Sequence, residues 1–382
     1  MSSQDFVRHM DFIGKDLGRR KSLWETLHID FPLFVALLIL LGFGLMVLYS
    51  ATDGSFPQMR RQIVFIVVSI FVMLSVAQVE VRILRRWAPW MYLGTMGLLV
   101  AVIFFGSTSG GAQRWLDLPV LPRFQPSEIM KVVLPMCIAG YFSKRALPPR
   151  FKHVFWSLIL VMWPAALIAI QPDLGTALLI AVSGLFVLLL AGIRWKLVFT
   201  FVGMAILSSP ALWFFYMSDY QKQRVKTLLN PQSDPLGAGW NIIQSQTAIG
   251  SGGVNGKGWL NGVQSRLDFL PEGQTDFIVA VLAEEFGLVG MLFLLILYMA
   301  IIGRGLYIAA VAQDTFSRLL AGSITLTFFV YVFVNIGMVS GILPVVGVPL
   351  PMISLGGTAI LTLMVGFGIL MSIHTHNKSL IS

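Results

Sequence analysis

Apolar runs of about 18 residues or more recur along most of this 382-residue chain. Each run is long enough to cross a hydrocarbon layer of roughly 30 Å as an α-helix. The chain has 56% hydrophobic and only 12% charged residues, which is more apolar surface than a water-soluble core could bury. The sequence therefore predicts an all-α integral membrane protein.

Hydropathy places ten spans, with boundaries good to about four residues. The predicted spans are 33–50, 62–79, 88–106, 127–142, 155–170, 173–192, 197–216, 277–301, 319–341 and 358–373. No soluble domain and no repeat of fixed period is evident. We therefore expect residues 1–382 to form a single polytopic domain, a bundle of about ten transmembrane helices. A polar segment (1–30) precedes the bundle, and a large loop (217–275) joins helices seven and eight.

The distribution of Lys and Arg predicts the orientation, because cytoplasmic loops retain positive charge. With the N-terminus inside, seventeen of the 27 Lys and Arg residues fall on the inner side, nine on the outer side and one within a span. Both termini are thus predicted to be cytoplasmic, and the loop 217–275 to face outward. The net charge of +9 follows from this bias and from attraction to anionic lipid, so it does not indicate a nucleic-acid partner.

Cysteine and histidine usage gives little sign of a metal centre. The single cysteine, Cys137, excludes an internal disulfide and a cluster of thiol ligands. The pair His374 and His376 is too short and isolated a motif to predict a metal site. The polar start and the length of the first span predict a retained anchor rather than a cleaved signal peptide.

Two outward segments have unusual composition. The loop 217–275 is long and contains apolar anchors such as Trp240 and Trp259, so we expect it to fold back onto the bundle. The segment 342–358 interleaves Pro and Gly with apolar residues. Because irregular backbone cannot face lipid unpaired, this segment is predicted to be buried against protein or to line a cavity.

The start of the fourth span carries an unusual lysine. Pro126 and Glu128 suit the opening turn of a helix, and ordinary capping explains them. Lys131 lies three residues after Glu128, on the same helical face and one turn deeper. Snorkelling to the interface is one interpretation, but ionisable residues within spans usually face a polar interior. We expect Lys131 to be functional, with Arg114 and Arg123 from the preceding loop on its side.

Asp276 is the first candidate for chemistry, because it places a carboxylate where a loop meets a helix at lipid depth. Local sequence leaves a second interpretation open, in which Thr275 or Asp276 caps that helix. Glu284 and Glu285 follow two turns later and are costly in an apolar run unless paired or hydrated, which predicts a broken helix or a wet cavity. Asp173 is better explained as a helix cap than as a catalytic residue.

The glycine-rich run 250–258 resembles a phosphate-binding loop, but its spacing does not fit one. Ser251 and Gly258 stand where that motif requires Gly and Ser or Thr. A flexible loop or close backbone packing is the better interpretation. Contact of its amides with a lipid-linked phosphate is a weaker alternative.

An outward carboxylate near a buried lysine and arginines suits a reaction in which a base takes a proton while cations stabilise an anionic leaving group. Glycosyl transfer from a lipid pyrophosphate is such a reaction. A lipid flippase is the main alternative, although transporters tend to place ionisable groups near mid-membrane in paired broken helices. A scaffold that recruits a transpeptidase is a third possibility, and it would not need Asp276 or Lys131 to be ionisable.

Five spaced motifs, in one order from the first span to the last, resemble the SEDS (shape, elongation, division, sporulation) family of cell-wall polymerases. They are Arg114-Trp115, Gln125-Pro126-Ser127-Glu128, Gln171-Pro172-Asp173-Leu174-Gly175, Phe269-Leu270-Pro271-Glu272 with Thr275-Asp276-Phe277-Ile278, and Gly341-Ile342-Leu343-Pro344 through Gly356-Gly357. The chain is more similar to the elongation branch of this family than to its division branch. Gln274 and Leu355 depart from the family pattern, where His and Tyr are common.

The resemblance implies a glycosyltransferase that polymerises lipid II into peptidoglycan strands on the periplasmic face of the bacterial inner membrane. It implies a class B penicillin-binding transpeptidase and other membrane proteins of the elongation complex as partners. It also implies that Asp276 is the general base and that basic residues stabilise undecaprenyl pyrophosphate as it leaves. The substrate-binding residues expected with it are Arg114, Gln125, Ser127, Glu128, Lys131, Glu272 and Thr275. The resemblance does not imply a required cofactor. It leaves open whether Mg²⁺ or Mn²⁺ assists the reaction.

Overall fold

The structure is a computed structural model that describes residues 27–109, 112–117, 123–217, 219–233, 237–266, 270 and 272–378. Most of the predicted N-terminal segment 1–30 therefore lies outside the described residues. Ten apolar helices form the bundle: α1 (Phe31–Ala51), α2 (Phe56–Ala77), α3 (Val81–Phe105), α4 (Pro126–Phe142), α5 (Phe151–Ile170), α6 (Leu174–Leu190), α7 (Trp195–Ala211), α11 (Ile278–Val311), α12 (Thr315–Val339) and α13 (Gly357–Lys378). Eight of these are long and apolar enough to cross a membrane, with α7 counted together with the turn that extends it to Phe215, and α4 and α6 are shorter, at 17 residues each.

The remaining elements belong to two loops on one side of the bundle. A small antiparallel hairpin, β1 (Ser107–Ser109) with β2 (Ala112–Trp115), follows α3. The large loop contains α8 (Asp219–Leu229), α9 (Ala238–Gly252) and α10 (Val263–Arg266). A π-helical turn, Leu212–Tyr216, extends α7, and a 3₁₀ turn, Pro231–Ser233, separates α8 from α9.

All ten predicted spans overlap an observed helix, and the all-α bundle is confirmed. The largest differences are at three ends, where α2 begins at Phe56, α3 begins at Val81 and α11 ends at Val311. These added turns carry basic residues such as Arg60, Arg85 and Arg304, which hydropathy excludes from a span. Backbone hydrogen bonding continues past the apolar stretch, so each helix is longer than its hydrophobic part.

Helix α12 lies at the centre of the bundle and packs against α4, α6 and α11. Helix α13 packs mainly against α2. In both α12 and α13, 61% of the most apolar 18-residue window is buried, whereas in Trp195–Phe215 no residue whose burial is described is buried. The site described below is therefore built on the most enclosed helices, and α7 is peripheral.

Helix α11 is broken at Gly287, whose φ of 62° and ψ of −157° are not helical. The loop 253–258 pairs with the exposed backbone at this break. Its amides donate to the carbonyls of Glu284 and Glu285 at 3.0 and 2.9 Å, and its carbonyls accept from the two residues that follow Gly287. The predicted broken helix is confirmed, and so is the close backbone packing predicted for the glycine-rich run.

The two buried glutamates beside the break each have a partner. Glu284 accepts from Lys257 Nζ at 2.7 Å and from the backbone amides of Val263 and Gln264. Glu285 accepts a hydrogen bond from the Ser50 hydroxyl of α1. Paired in this way, the carboxylates hold α10 and α1 against the broken part of α11.

Both predictions for the outward segments are confirmed within the described residues. The loop 217–275 folds back, with α9 packed on α11 and Ser245 Oγ donating to the carbonyl of Val339 at 2.9 Å. The segment 342–358 is buried at Val348 and over 350–354, and its backbone is held there by Tyr298 Oη, which donates to the carbonyl of Pro351 at 2.6 Å. Irregular backbone at this depth is thus satisfied by protein rather than by lipid.

Candidate active site

Asp276 lies in the turn 272–277 that leads into α11, and it does not cap this helix. The N-cap position is Phe277, and no side chain bonds to the amides of the first turn. Thr275 Oγ1 donates instead to Glu272 Oε2 at 2.6 Å. The capping interpretation of Asp276 and Thr275 is therefore wrong, and the carboxylate of Asp276 is not used for local structure.

The backbone of this turn is fixed from α12 and from the segment 342–358. Asn335 Nδ2 donates to the carbonyl of Asp276 at 2.8 Å and to that of Val348 at 2.7 Å. Ser354 Oγ donates to the carbonyl of Thr275 at 2.5 Å. These bonds set the position of the Asp276 carboxylate without touching its oxygens.

The Asp276 carboxylate is partly buried. Among the residues that the structure describes, no side chain forms a hydrogen bond or ion pair with its oxygens. Burial, with the negative charge of Glu272, raises the pKa of Asp276 to about 6, and the charges of Arg224 and Arg114 act in the opposite direction. A carboxylate with a pKa this close to neutrality can both accept and release a proton.

Gly347 lies beside this carboxylate and brings a second cluster near it. Its φ of 75° favours glycine, and a Cβ there would lie 3.5 Å from Asp276 Oδ2. The carbonyl of the neighbouring Val346 packs closely against Gly175 in the first turn of α6. A Cβ atom on Gly175 would lie only 2.7 Å from this carbonyl oxygen. The segment 342–358 therefore places the start of α6 next to Asp276.

The start of α6 carries that cluster, centred on Asp173. Asp173 Oδ1 accepts from the amide of Thr176 at 3.1 Å, which confirms the predicted cap. Asp173 Oδ2 accepts from Arg114 Nη1 at 3.2 Å and from Gln125 Nε2 at 3.3 Å. Arg114 Nε is buried and has no partner in the described protein. Arg114 is thus oriented by Asp173 and keeps one buried donor without a partner in the described residues.

Lys131 and Glu128 form a buried ion pair on α4. Lys131 Nζ lies 2.5 Å from Glu128 Oε1, and the two side chains are 8% and 11% exposed. The ammonium also lies 4.9 Å from the ring centroid of Tyr331 on α12. Snorkelling is therefore wrong for Lys131, which faces the interior. Tyr331 precedes Asn335 by one turn, so the ion pair lies about 6 Å deeper along α12 than the Asp276 turn.

Unsatisfied polar atoms occur on both α4 and α12 near the ion pair and the Asp276 turn. Ser127 Oγ, Thr327 Oγ1 and Asn335 Oδ1 are buried without a partner in the described residues, like Arg114 Nε. Buried polar groups are normally hydrogen-bonded, so a cluster of exceptions indicates a place for a polar ligand or water.

An apolar cleft between α4, α12 and α13 begins at this ion pair. Its rim holds Glu128, Lys131 and Tyr331. Its walls are mainly apolar and include Val132, Ile324, Phe328, Ala359, Leu363 and Phe367. A cleft with a buried ion pair at one end and hydrocarbon walls suits an amphipathic ligand.

The structure brings most predicted site residues together, with one exception. Arg123 forms a bidentate pair with Asp117 at 2.7 and 3.0 Å, and both side chains are half-exposed, so Arg123 does not join the site. Glu272 and Thr275 bond to each other beside Asp276. Within the described residues, no group of three or more His, Cys, Asp and Glu stands ready to hold a metal ion.

Sequence reasoning missed three contributors, namely Arg224, Tyr331 and Asn335. Asn335 was detectable in principle, because a buried amide within an apolar span needs a reason. Tyr331 and Arg224 carried no such signal, since an aromatic residue in a span and a basic residue in a loop are both common. The two departures from the family pattern lie together, with the Leu355 amide donating to the carbonyl of Gln274 at 2.9 Å.

The fold and the site define a multi-pass membrane protein with a group of buried polar and charged side chains at one end of its helix bundle and an apolar cleft beside the Lys131–Glu128 ion pair. The family model FtsW/RodA/SpoVE, described as cell cycle protein, matches residues 31–379. The chain belongs to this family, which confirms the resemblance to SEDS proteins.

Known relatives cover nearly the whole chain. It is 54% identical over 365 residues to peptidoglycan glycosyltransferase MrdB of Escherichia coli strain K12, across 96% of this chain and 98% of MrdB. It is 34% identical over 378 residues to a probable peptidoglycan glycosyltransferase FtsW of Geobacter metallireducens, across 95% of this chain and 99% of that protein. The greater likeness to MrdB agrees with the predicted placement in the elongation branch.

Solved structures share the fold. One chain comes from a structure titled for the coordination of polymerization and crosslinking by a peptidoglycan synthase complex. It aligns with a TM-score of 0.80 at 28% identity, across 90% of this chain and 97% of that one. The crystal structure of rod shape determining protein RodA from Thermus thermophilus aligns with a TM-score of 0.69 at 24% identity, across 90% of this chain and 96% of that one.

Proposed function

We propose that this chain is a peptidoglycan glycosyltransferase that polymerises lipid II into glycan strands during cell elongation. The names of its relatives, above all MrdB at 54% identity, support this reaction. One structural observation carries the mechanism. Asp276 is partly buried, has no partner among the described residues, has its pKa raised to about 6 and lies within the field of two arginines. This is what a general base needs at neutral pH.

In the proposed reaction the acceptor sugar hydroxyl attacks the anomeric carbon of the donor. Its proton passes to Asp276 as the new glycosidic bond forms. The bond from the anomeric carbon to the diphosphate oxygen breaks, and its electron pair leaves with undecaprenyl pyrophosphate. Arg114 and Lys131 stabilise the negative charge on this leaving group, because cations aimed at developing charge lower the barrier.

The other predicted site residues support these three. Glu128 holds Lys131, and Asp173 with Gln125 orients Arg114, which leaves Arg114 Nε to donate to substrate. Ser127 Oγ supplies a further buried hydroxyl without a partner in the described protein. Glu272, bonded to Thr275, raises the pKa of Asp276 through its charge. The polyprenyl tail lies in the apolar cleft that begins at Lys131.

The proposal extends to placement and partners. We infer one polytopic domain in the bacterial inner membrane, with both termini cytoplasmic and Asp276 on the periplasmic side, from the asymmetry of Lys and Arg. A class B penicillin-binding transpeptidase is the expected partner, because a similar chain is part of a synthase complex that couples polymerization with crosslinking. Other membrane proteins of elongation are expected to join them.

A reconstituted polymerisation assay tests this function. Purified chain with its transpeptidase partner chemically blocked receives lipid II in detergent, and glycan strands are expected on a gel. Asp276→Asn should abolish them, whereas the matched control Asp314→Asn, which retains a capping side chain at α12 on the opposite side, should not. EDTA and added Mg²⁺ or Mn²⁺ show whether a divalent cation assists.

Two results would count against the proposal. Strands made at the normal rate by Asp276→Asn would remove this residue as the base. Movement of lipid II across vesicles without any polymer would favour a transporter over an enzyme.

A further inference from the structure

An open cavity of about 640 Å³ lies where α3 begins and α4 ends. Since α3 has 25 residues and spans about 37 Å, this cavity is on the opposite side of the bundle from Arg114 and Asp276. Its lining consists of Arg82, Ile83, Arg85, Arg86, Trp87, Pro89 and Lys144. Four of these seven side chains are cations, and none is an anion.

These four cations have no counter-charge in the described protein. Arg82, Arg85 and Arg86 are spaced i, i+3 and i+4 and lie on one helical face, where like charges repel. Lys144 approaches from just beyond α4, and Arg85 packs over α4 at Gly140. All four side chains are exposed, and no described hydrogen bond or ion pair engages them. Glu80, the acid before α3, is exposed, forms no capping bond and does not line the cavity.

Two other basic residues on this side, Arg304 and Arg145, are engaged by neighbouring groups. Arg304 is neutralised by Asp30 at 2.7 Å. Arg145 lies 3.5 Å from the ring centroid of Tyr141 and donates to its carbonyl. The cavity differs from isolated surface cations such as Arg194 and Lys196, because four cations converge in one lining and have no partner in the described residues.

The surroundings of the cavity are those of a lipid headgroup region. Trp87 and Trp90 are 57% and 67% exposed, and Ile83 is 48% exposed. Exposed tryptophan is typical of the boundary between headgroups and hydrocarbon. A ligand here meets four cations and adjacent apolar surface at once, so its chemistry combines phosphate with acyl chains.

We propose that this cavity binds the phosphate headgroup of an anionic phospholipid, such as phosphatidylglycerol or cardiolipin, in the leaflet opposite the Asp276 site. Basic pockets between membrane helices bind such headgroups. The bound lipid neutralises the cations and joins the start of α3 to the end of α4. This site is independent of the proposed polymerisation reaction.

Native mass spectrometry of the purified full chain, titrated with phosphatidylglycerol or phosphatidylcholine, tests the site. The wild type is expected to retain phosphatidylglycerol at least tenfold more tightly than phosphatidylcholine. Arg82→Gln with Arg86→Gln should lose most of this preference. The charge-matched control, Arg194→Gln with Lys196→Gln, removes two exposed cations that do not line the cavity and should change binding by less than twofold.

Three results would overturn the proposal. They are equal binding of the two lipids, an equal loss in the control variant, and complete competition by millimolar inorganic phosphate, which would indicate a soluble anion. Lys144→Gln provides a second variant on a different element and should weaken phosphatidylglycerol binding as well. Thermal unfolding without added lipid should be the same for all variants, because the substituted side chains are exposed.

Discussion

Two carboxylates stand immediately before membrane-spanning helices and have opposite surroundings. Asp30, before α1, is fully engaged, because its oxygens accept from the Leu33 amide at 3.0 Å and from Arg304 at 3.0 and 2.7 Å, with His374 at 3.4 Å. Asp276, before α11, has no such partner among the described residues.

The two pKa values follow from these surroundings. Burial alone would raise the pKa of Asp30, but hydrogen bonds from Arg304 and Leu33 hold it below its usual value. Burial and Glu272 raise the pKa of Asp276 to about 6, and the more distant arginines do not offset this. A buried charge is costly without a partner. Asp30 therefore stabilises the fold. Asp276 destabilises it, because its carboxylate is left unpaired and available to accept a proton.

The largest expected effect comes from Asp276→Asn, which should lower the polymerisation rate by about 10²- to 10⁴-fold, the usual contribution of a general base. The pKa of Asp276 in the folded protein lies above its usual value, so folding disfavours the ionised carboxylate. The free energy of unfolding therefore falls as pH rises from about 4 to 6. The Asn variant should thus unfold at the same or a higher temperature than the wild type at pH 7.5. A lower unfolding temperature would show that Asp276 is structural.

The reverse pattern is expected for Asp30→Ala, which leaves Arg304 without its partner. Since Arg304 is partly exposed, the loss should be about 3 kcal/mol of unfolding free energy. The folded pKa of Asp30 is depressed, so its contribution is present above about pH 4 and is lost below it. Thermal unfolding in detergent measures the loss. The rate per folded molecule should not change, and a large fall in that rate would break the contrast between the two carboxylates.

A smaller effect is expected from Asn335→Leu, which removes the bonds to the Asp276 and Val348 carbonyls and leaves the bond from Ser354 to the Thr275 carbonyl in place. The rate should fall by about tenfold with little change in KM, because a displaced base loses its alignment with the reacting hydroxyl. Ser323→Ala is the matched control, since it also removes a buried hydrogen bond of α12, at 2.7 Å to the Ser183 carbonyl. If both variants lose rate equally, Asn335 acts through general stability.

The smallest effect is expected from Arg224→Gln. The charge of Arg224 lowers the pKa of Asp276, so its removal should move that pKa upward from about 6. The pH at which polymerisation is half-maximal should rise by less than one unit. Lys222→Gln, on the same helix, is the control and should leave this pH unchanged; an equal rise in the control would show a nonspecific effect of loop charge.

Much of the fold could be predicted, because the length of apolar runs determines where helices cross. The break in α11 was also predictable from Glu284 and Glu285, which need partners in an apolar run. The partners themselves were not, since Lys257 and Ser50 come from distant parts of the chain. Helix ends were missed where basic turns continue the helix past its apolar part.

The candidate site was predicted less completely, for a physical reason. Whether Thr275 caps α11 or bonds to Glu272 depends on how the turn is held by Asn335 and Ser354, which are far along the chain. The same limit applies to Arg123, whose bond to Asp117 removes it from the cavity. Local sequence identifies ionisable groups at the right depth, and only tertiary contacts show which of them stay unpaired.

The pH dependence of glycan polymerisation tests the role of the unpaired Asp276 carboxylate most directly. The wild-type rate should fall tenfold per pH unit on the acid side, with a midpoint at about 6, and the residual activity of Asp276→Asn should lack this limb. A midpoint near 4, or an unchanged limb in the Asn variant, would contradict the account.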